Sequence, residues 1–274
     1  MIPELFRVGS FAISPFGVTM VLAFLAGYVQ IARGFRRLGI GDEEDASAIV
    51  FAAGIGGILG GKIYYAVLYG DWRLLLDRAG LVWYGGFLLA AAIVGWVIRR
   101  RKLYFPSAAD VSLLGVALGY AIGRVGCFLV GDDYGMPTDR PWGVAFPRGL
   151  PPTTAGVLRA EYGAHLPADL PDDALVAVHP TQLYETALAL AIWGLGTWLL
   201  RRGARPGMTA LAVAALLACE RLFVELFRAK DDRFLGDMTL AQAISVAILL
   251  VVAALWLAWR RRAPAEPVAR PAAA

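Results

Sequence analysis

The stretch AADVSLLGVALGYAIGRVGCFLV, residues 108–130, is apolar almost throughout and yet contains an arginine, Arg124, near its end. Its length suits a helix that crosses the hydrocarbon core of a bilayer, which takes about 20 residues. Comparable apolar runs recur along the chain, where 58% of the 274 residues are hydrophobic and 18% are charged. This composition, with a mean hydropathy of +0.60, is far from that of a soluble domain. The chain is therefore predicted to be an all-α polytopic membrane protein.

Seven apolar runs are predicted to cross the membrane as helices. They cover residues 16–31, 46–68, 81–98, 108–130, 179–200, 207–227 and 238–259. Clusters of arginine and lysine follow the first, third, fifth and seventh runs. Because short loops rich in these residues stay in the cytoplasm, we expect the C-terminus inside and the N-terminus outside. The net charge of +4 then reflects the orientation of the chain in the membrane and does not indicate a surface that binds nucleic acid.

The residues outside the predicted spans fall into two classes. The tail, residues 262–274, is rich in proline and alanine and is predicted to be disordered in the cytoplasm. The segment 131–178 contains several prolines together with Trp142, Phe146 and Tyr162, so we expect a small ordered cap outside the membrane. The prediction is one transmembrane domain, residues 1–261, with this cap between helices four and five.

Charged side chains inside the predicted spans are the main functional signal. Each costs about 2.5–3.5 kcal/mol near the bilayer centre even on a lenient scale, so it is expected to face a cavity or a partner. Arg221, Glu225 and Arg228 have the spacing i, i+4, i+7 and lie on one stripe of a helix. Glu225 can pair with either arginine. The other charges of this kind are Lys62, Arg124, Glu185 and Glu220.

Arg124 and Arg221 are predicted to bind an anion. The carboxylates near them match their charge only in part, and arginine holds a phosphate group in bidentate geometry. The abundant anions dissolved in a bilayer are phospholipid head groups. A set of ion pairs that only locks helix packing is the alternative, above all for Glu225 with Arg228.

The segment HPTQLYE, residues 179–185, opens the fifth predicted span. Gln182 and Glu185 lie one helical turn apart and are expected to face inward, with Tyr184 beside them. His179 is either a capping or packing residue or a member of a site.

The two cysteines, Cys127 and Cys219, both lie in predicted helices, so neither a disulfide framework nor a metal cluster is indicated. Cys219 is interpreted as a small buried hydrophobic residue. For Cys127 this interpretation and a place in the site both stay open.

Several segments resemble the signature segments of bacterial prolipoprotein diacylglyceryl transferases. They are GRVGCFLVGDDYGMPTDRPWGVAFP (123–147), HPTQLYE (179–185), ERLFVELFR (220–228) and GGKIYYAVLY (60–69), and the similarity runs collinearly from about residue 12 to 258. The resemblance implies a multi-pass enzyme of the bacterial inner membrane. It would transfer the diacylglyceryl group of phosphatidylglycerol to the lipobox cysteine thiol at the signal peptide of a prolipoprotein, and release glycerol phosphate. It implies no cofactor.

The resemblance assigns roles by motif position. Arg124 and Arg221 match essential arginines, and Gly135 matches the signature glycine. Together with the buried charges, the motifs predict these substrate-binding residues: Lys62, Cys127, Asp132, Gly135, His179, Gln182, Glu185, Glu225 and Arg228.

Three positions differ from the family's usual residues. Phe16 stands at a usual tyrosine, Cys127 at a usual asparagine, and Tyr84 at the histidine that is the usual candidate for general base. Tyr84 is therefore placed at a catalytic position, although a phenol with a reference pKa near 10 is a poor base. The phosphate or a carboxylate are other candidates. The alternatives to this activity are a diverged paralogue, or a transporter or flippase that binds phospholipid head groups.

Overall fold

The computed structural model describes residues 4–8, 11–76, 82–229, 233–235 and 238–260. Within these ranges the chain is mainly helical, which confirms the all-α prediction. The helices are α1 (Pro15–Leu38), α2 (Glu43–Tyr69), α3 (Trp83–Arg100), α4 (Phe105–Val130), α5 (Ala155–Tyr162), α6 (Thr181–Arg201), α7 (Met208–Glu225) and α8 (Leu240–Arg260). A short 3-10 helix spans Trp72–Leu76, and two small antiparallel hairpins pair β1 (Phe6–Val8) with β2 (Phe11–Ile13) and β3 (Arg233–Leu235) with β4 (Met238–Thr239).

Among the described residues, five helices are long and apolar enough to cross a membrane: α1, α2, α4, α6 and α8. The chain is therefore a multi-pass membrane protein. The other two helices of at least 18 residues, α3 and α7, contain charged residues. α7 carries Glu220, Arg221 and Glu225, and α3 ends in Arg99 and Arg100.

Local signals define where α1 and α2 begin and end. The Ser14 hydroxyl accepts a hydrogen bond from the backbone of Gly17 at 3.1 Å, and Pro15 occupies the first turn of α1. α1 ends at Gly39, which has φ +64°. At the start of α2, Asp42 and Asp45 form a reciprocal capping box. α1 thus extends seven residues past the predicted apolar run, which ends at residue 31.

The pair α2 and α3 packs backbone against backbone. A Cβ atom on Gly60 would collide with the carbonyl oxygen of Gly85, and one on Gly56 would lie 2.6 Å from the Cα of Ala90. Neither glycine has room for a side chain, which is the pattern of close contact between small residues typical of membrane helices.

The helices α4, α6 and α7 share an apolar core, in which Leu114, Ile192 and Val213 are buried together. At one end of this group, the buried Asp110 of α4 accepts hydrogen bonds from the backbone N–H groups of Gly207 and Ala210, both at 2.7 Å. Amides at the start of a helix have no acceptor within the helix, and here Asp110 supplies one. α4 and α7 therefore begin at the same level and run in the same direction.

The segment 131–178 packs around its own apolar core. Tyr134 stacks on Phe146, with ring centroids 5.5 Å apart, and Leu158 of α5 is fully buried beside them. Backbone hydrogen bonds between Val144 and Val178, at 3.0 and 3.1 Å, return the chain to the start of α6. This segment therefore joins the end of α4 to the start of α6.

Candidate active site

Six charged side chains meet where α4 and α7 end and α6 begins, and we call them the ion-pair cluster. They are Arg124 from α4, Asp133 from the turn after α4, Glu185 from α6, Arg221 and Glu225 from α7, and Arg228 from the turn after α7. The sequence predicts five of these six.

Glu185 lies at the centre of the cluster. Its side chain is only 1% exposed and forms an ion pair with Arg124. Its Oε1 atom also lies 3.3 Å from Nη1 of Arg221 and 3.4 Å from Nη1 of Arg228. One carboxylate thus connects all three guanidinium groups, and the predicted inward position of Glu185 is confirmed.

Asp133 also connects two of the arginines. Its Oδ2 accepts a hydrogen bond from Nη1 of Arg124 at 2.9 Å, and its Oδ1 accepts one from Nη2 of Arg228 at 2.7 Å. The backbone of Asp133 has φ +59°, a conformation that aspartate adopts more readily than most residues. Its carbonyl oxygen accepts a hydrogen bond from the Thr181 hydroxyl at 2.9 Å, which fixes this turn against α6.

Glu225 pairs with both neighbouring arginines, as the spacing predicts. Its Oε2 lies 2.7 Å from Nη2 of Arg221 and 3.8 Å from Nε of Arg228, and its Oε1 accepts a hydrogen bond from the Thr239 hydroxyl at 3.0 Å. The prediction that Arg228 continues the helix is wrong. α7 ends at Glu225, and Arg228 forms an isolated β-bridge with Gly135.

The charges of the cluster balance, because three guanidinium groups face three carboxylates. The sequence, in contrast, predicts that nearby carboxylates balance the charge of the arginines only in part. The three arginines differ in access: the side chain of Arg221 is 24% exposed, while those of Arg124 and Arg228 are 9% and 4% exposed. An anion from outside would therefore meet Arg221 first.

Gly135 occupies a position without room for a side chain. Its N–H group donates to the carbonyl oxygen of His179 at 2.8 Å. A Cβ atom there would lie 2.8 Å from the side chains of both His179 and Thr181. The close approach of the neighbouring chain therefore explains why position 135 has no side chain. The predicted contact of Gly135 with substrate stays a prediction.

His179 takes part in a short chain of hydrogen bonds. The Trp142 indole N–H donates to the Tyr184 hydroxyl oxygen at 2.7 Å, and that hydroxyl lies 3.0 Å from Nδ1 of His179. Because an indole only donates, the hydroxyl hydrogen of Tyr184 is available for Nδ1. Burial, together with the charge of Arg140, lowers the pKa of His179 below its usual value, which favours the neutral imidazole.

The remaining predicted residues have different surroundings. Gln182 is fully buried and donates to the carbonyl oxygen of Asp132 at 2.7 Å. Asp132 itself is exposed. Lys62 is half-buried on α2, a helix that packs against α1 and α3. Tyr84 lies in the first turn of α3, and its side chain is outside the described part of the structure.

The two cysteines are both free thiols. Cys127 is buried, and its sulfur accepts a hydrogen bond from Nη1 of Arg124 at 3.6 Å. The interpretation of Cys219 as a buried residue is wrong, because it is exposed on α7. Ala218 lies on the buried face of α7. Cys219 is the next residue, so the turn of the helix directs its side chain outward.

Of the two adjacent aspartates, the sequence predicts Asp132 as a substrate-binding residue, and that role stays a prediction. The carboxylate that binds arginine belongs to Asp133, which is not among the predicted residues. A signal was present, because the family pattern places its acidic residue directly before an aromatic residue and a glycine. Asp133, Tyr134 and Gly135 match that order.

Comparison with known proteins points to one family. The family model described as prolipoprotein diacylglyceryl transferase matches residues 3–259. Among curated relatives named phosphatidylglycerol–prolipoprotein diacylglyceryl transferase, the one from Stenotrophomonas maltophilia is 31% identical over 290 residues, which cover 99% of this chain and 96% of the relative. The relative from Geobacter sulfurreducens is 30% identical over 262 residues, covering 91% and 92%. The one from Acaryochloris marina is 30% identical over 269 residues, covering 94% and 90%.

Proposed function

The chain belongs to the prolipoprotein diacylglyceryl transferase family, and we propose that it transfers the diacylglyceryl group of phosphatidylglycerol to the lipobox cysteine thiol of a prolipoprotein. The observation that carries this proposal is the ion-pair cluster. It holds three arginines at one place beside the ends of three helices. Such a site suits the phosphate of an anionic lipid.

The reaction makes two chemical demands on the protein. The sulfur of the acceptor must lose its proton, because the thiolate is the nucleophile. It then attacks the glycerol carbon that bears the phosphate ester, so that a C–S bond forms and the C–O bond breaks. The glycerol phosphate leaves with the bonding electrons. Its developing negative charge requires donors that are already in place.

Arg124 and Arg221 meet the second demand. They come from two helices and converge on Glu185, so a phosphate placed between them would accept hydrogen bonds from both. A guanidinium has five N–H donors, and the carboxylates of the cluster leave some of them for a ligand. The partial exposure of Arg221 gives the lipid phosphate a way in.

The carboxylates position the arginines before the substrate arrives. Glu185 and Asp133 pair with different guanidinium nitrogens of Arg124, and Glu225 pairs with Arg221 at 2.7 Å. A group fixed in this way does not have to be reorganised during the reaction. Cys127 needs no covalent role, since the acceptor of the lipid is the thiol of the prolipoprotein. Tyr84 and Lys62 enter the proposal by family position alone.

For the membrane topology we propose seven crossings, which adds α3 and α7 to the five apolar helices. The arginines that follow α3 and α6 then lie in the cytoplasm, and residues 131–178 form a cap on the outer side of the inner membrane. A reporter that is active only outside the cytoplasm should function when fused near Asp172 and fail when fused after Arg262. The opposite pattern would contradict this orientation.

Labelled phosphatidylglycerol and a lipobox peptide in detergent test the activity. We expect the label to appear on the peptide thiol as a thioether, with release of glycerol phosphate in equal amount. A folded protein that forms no thioether would refute the proposal. Movement of the lipid between bilayer leaflets without thioether formation would instead favour a transporter.

A further inference from the structure

Another carboxyl group, that of Glu220, is buried on α7 directly before Arg221. The residue is only 5% exposed. Among the described residues its Oε1 atom has no hydrogen-bond partner, and no guanidinium group lies within ion-pair distance. The carboxylates of Asp133, Glu185 and Glu225, in contrast, each hold two or three arginines.

Glu220 faces α4 beside the ion-pair cluster. It shares a helix face with Val213 and Val224, which are also buried, and Val213 packs against Leu114 and Ala117 of α4. Tyr120 follows Ala117 by one turn on this side of α4. The charged and titratable groups within electrostatic reach of Glu220 are Tyr120 and Arg124 on α4, Glu185 on α6, Arg221 on α7, and Arg228 after α7.

The pairing of the other carboxylates makes them poor proton acceptors. A guanidinium within hydrogen-bonding distance stabilises the carboxylate anion and so weakens it as a base. Asp133, Glu185 and Glu225 are all of this kind. Glu220 keeps a carboxyl oxygen without such a partner, while it lies next to the arginine proposed to receive the lipid phosphate.

We propose that Glu220 accepts the proton of the acceptor thiol, directly or through one water, while Arg124 and Arg221 hold the phosphate. This inference rests on the proposed function. The S–H bond breaks and its proton goes to Glu220, and the sulfur electron pair forms the C–S bond. The electrons of the C–O bond leave with the glycerol phosphate. The proton on Glu220 then passes to the released glycerol phosphate or to water, which restores the carboxylate.

Two acceptor peptides test this role: one lipobox peptide with cysteine and one with selenocysteine, whose selenol is ionised at neutral pH. With labelled phosphatidylglycerol, Glu220→Gln should lower turnover of the cysteine peptide about a hundredfold. The same variant should turn over the selenocysteine peptide at close to the wild-type rate, because that nucleophile needs no base. Equal losses with both peptides, or no loss with cysteine, would overturn the inference. A folded wild-type protein inactive with both peptides would refute the proposed function instead.

Val213→Ala serves as the matched control, since Val213 is buried on the same face of α7. It disturbs the packing against α4 and leaves the carboxyl group, so its effect on the two peptides should be equal. If Glu220→Gln loses the melting transition of the folded protein, Glu220→Asp replaces it. A carboxylate withdrawn by one methylene should lower the rate with cysteine and leave the rate with selenocysteine unchanged. If Glu220→Asp and the wild type turn over the cysteine peptide at equal rates, the inference is overturned.

Discussion

The helix pair α2–α3 and the helix group α4–α6–α7 are held together in different ways. α2 and α3 meet through Gly56, Gly60 and Gly85, where backbone lies on backbone. α4, α6 and α7 also share an apolar core, but at one end they meet through the ion-pair cluster. Lipid provides no hydrophobic force between helices, so close packing and polar contacts are the two available means.

This difference separates stability from activity. At the glycine contact the size of a side chain decides whether two helices can approach. At the ion-pair cluster the charge and shape of each group decide whether a phosphate can bind. Substitutions in the first region are therefore expected to change the melting temperature, and substitutions in the second to change turnover.

The largest effect is expected for Arg124. Arg124→Ala removes a contact that strengthens as the phosphate departs, worth about 3–4 kcal/mol, which corresponds to a hundred- to thousandfold lower turnover. Arg124→Lys keeps the charge and loses the planar fork, so its turnover should lie between alanine and wild type. Initial rates against phosphatidylglycerol concentration, with melting measured in detergent, provide the test. Near-normal turnover in a stable Arg124→Ala protein would reduce Arg124 to a packing residue.

The two adjacent aspartates sharpen the contrast within the cluster. Asp133→Asn removes the negative charge and leaves one acceptor oxygen where the carboxylate uses two, one for Arg124 and one for Arg228, so turnover should fall about ten- to hundredfold. Asp132→Asn changes an exposed carboxylate and should stay within about twofold of wild type. Both variants are assayed at saturating lipid and peptide. Equal losses in the two variants would contradict the assignment of Asp133.

At the glycine contact the expected effect is on stability. Gly60→Ala forces a Cβ atom against the Gly85 backbone and should destabilise the protein by about 1–3 kcal/mol. Gly57→Ala is the matched control, because a Cβ atom on Gly57 meets no atom within 4 Å, and it should not lower the melting temperature. Turnover per folded molecule should change less in either variant than in Arg124→Ala. A loss of turnover in Gly60→Ala without a lower melting temperature would break the proposed separation.

The smallest effect is expected for Cys127. Cys127→Ser keeps an acceptor near Arg124, and transfer should remain within about tenfold of wild type, since a hydroxyl oxygen can accept the hydrogen bond that the weakly accepting sulfur accepts now. The rate of transfer is measured directly, and mass spectrometry of the enzyme detects any lipid adduct. Complete loss of activity in the folded variant, with a lipid adduct trapped on Cys127 of the wild type, would point to a two-step mechanism.

The lengths of the apolar runs predict the long helices, and capping residues determine where α1 and α2 begin. Each predicted apolar run corresponds to one of the long helices. α1 continues past residue 31 because polar residues extend it as far as Gly39. α5 is absent from the predictions, since its eight residues lie in a segment without an apolar run. Hydropathy detects helices that face lipid and gives little information about a segment that packs on itself.

The site is predictable to the extent that it lies on helices. Arg124, Glu185 and Arg221 stand out because a charge within an apolar run is costly unless it faces a partner or a cavity. Asp133 and Arg228 lie outside helices, where no period fixes the direction of a side chain. The positive φ of Asp133 directs it to the arginines, and the bridge between Gly135 and Arg228 depends on residues far apart in the chain.

The contact of Asp110 with the start of α7 has a consequence for how this chain can change in length. Arg124 comes fourteen positions after Asp110, and Arg221 comes fourteen positions after Gly207, which is a rise of about 21 Å in each case. The two arginines reach Glu185 at one depth because the two intervals are equal. An insertion or deletion of one residue in one interval moves its arginine by about 1.5 Å along the helix axis and turns it by about 100° around that axis. Functional homologues that vary in length here are therefore expected to vary in both intervals together.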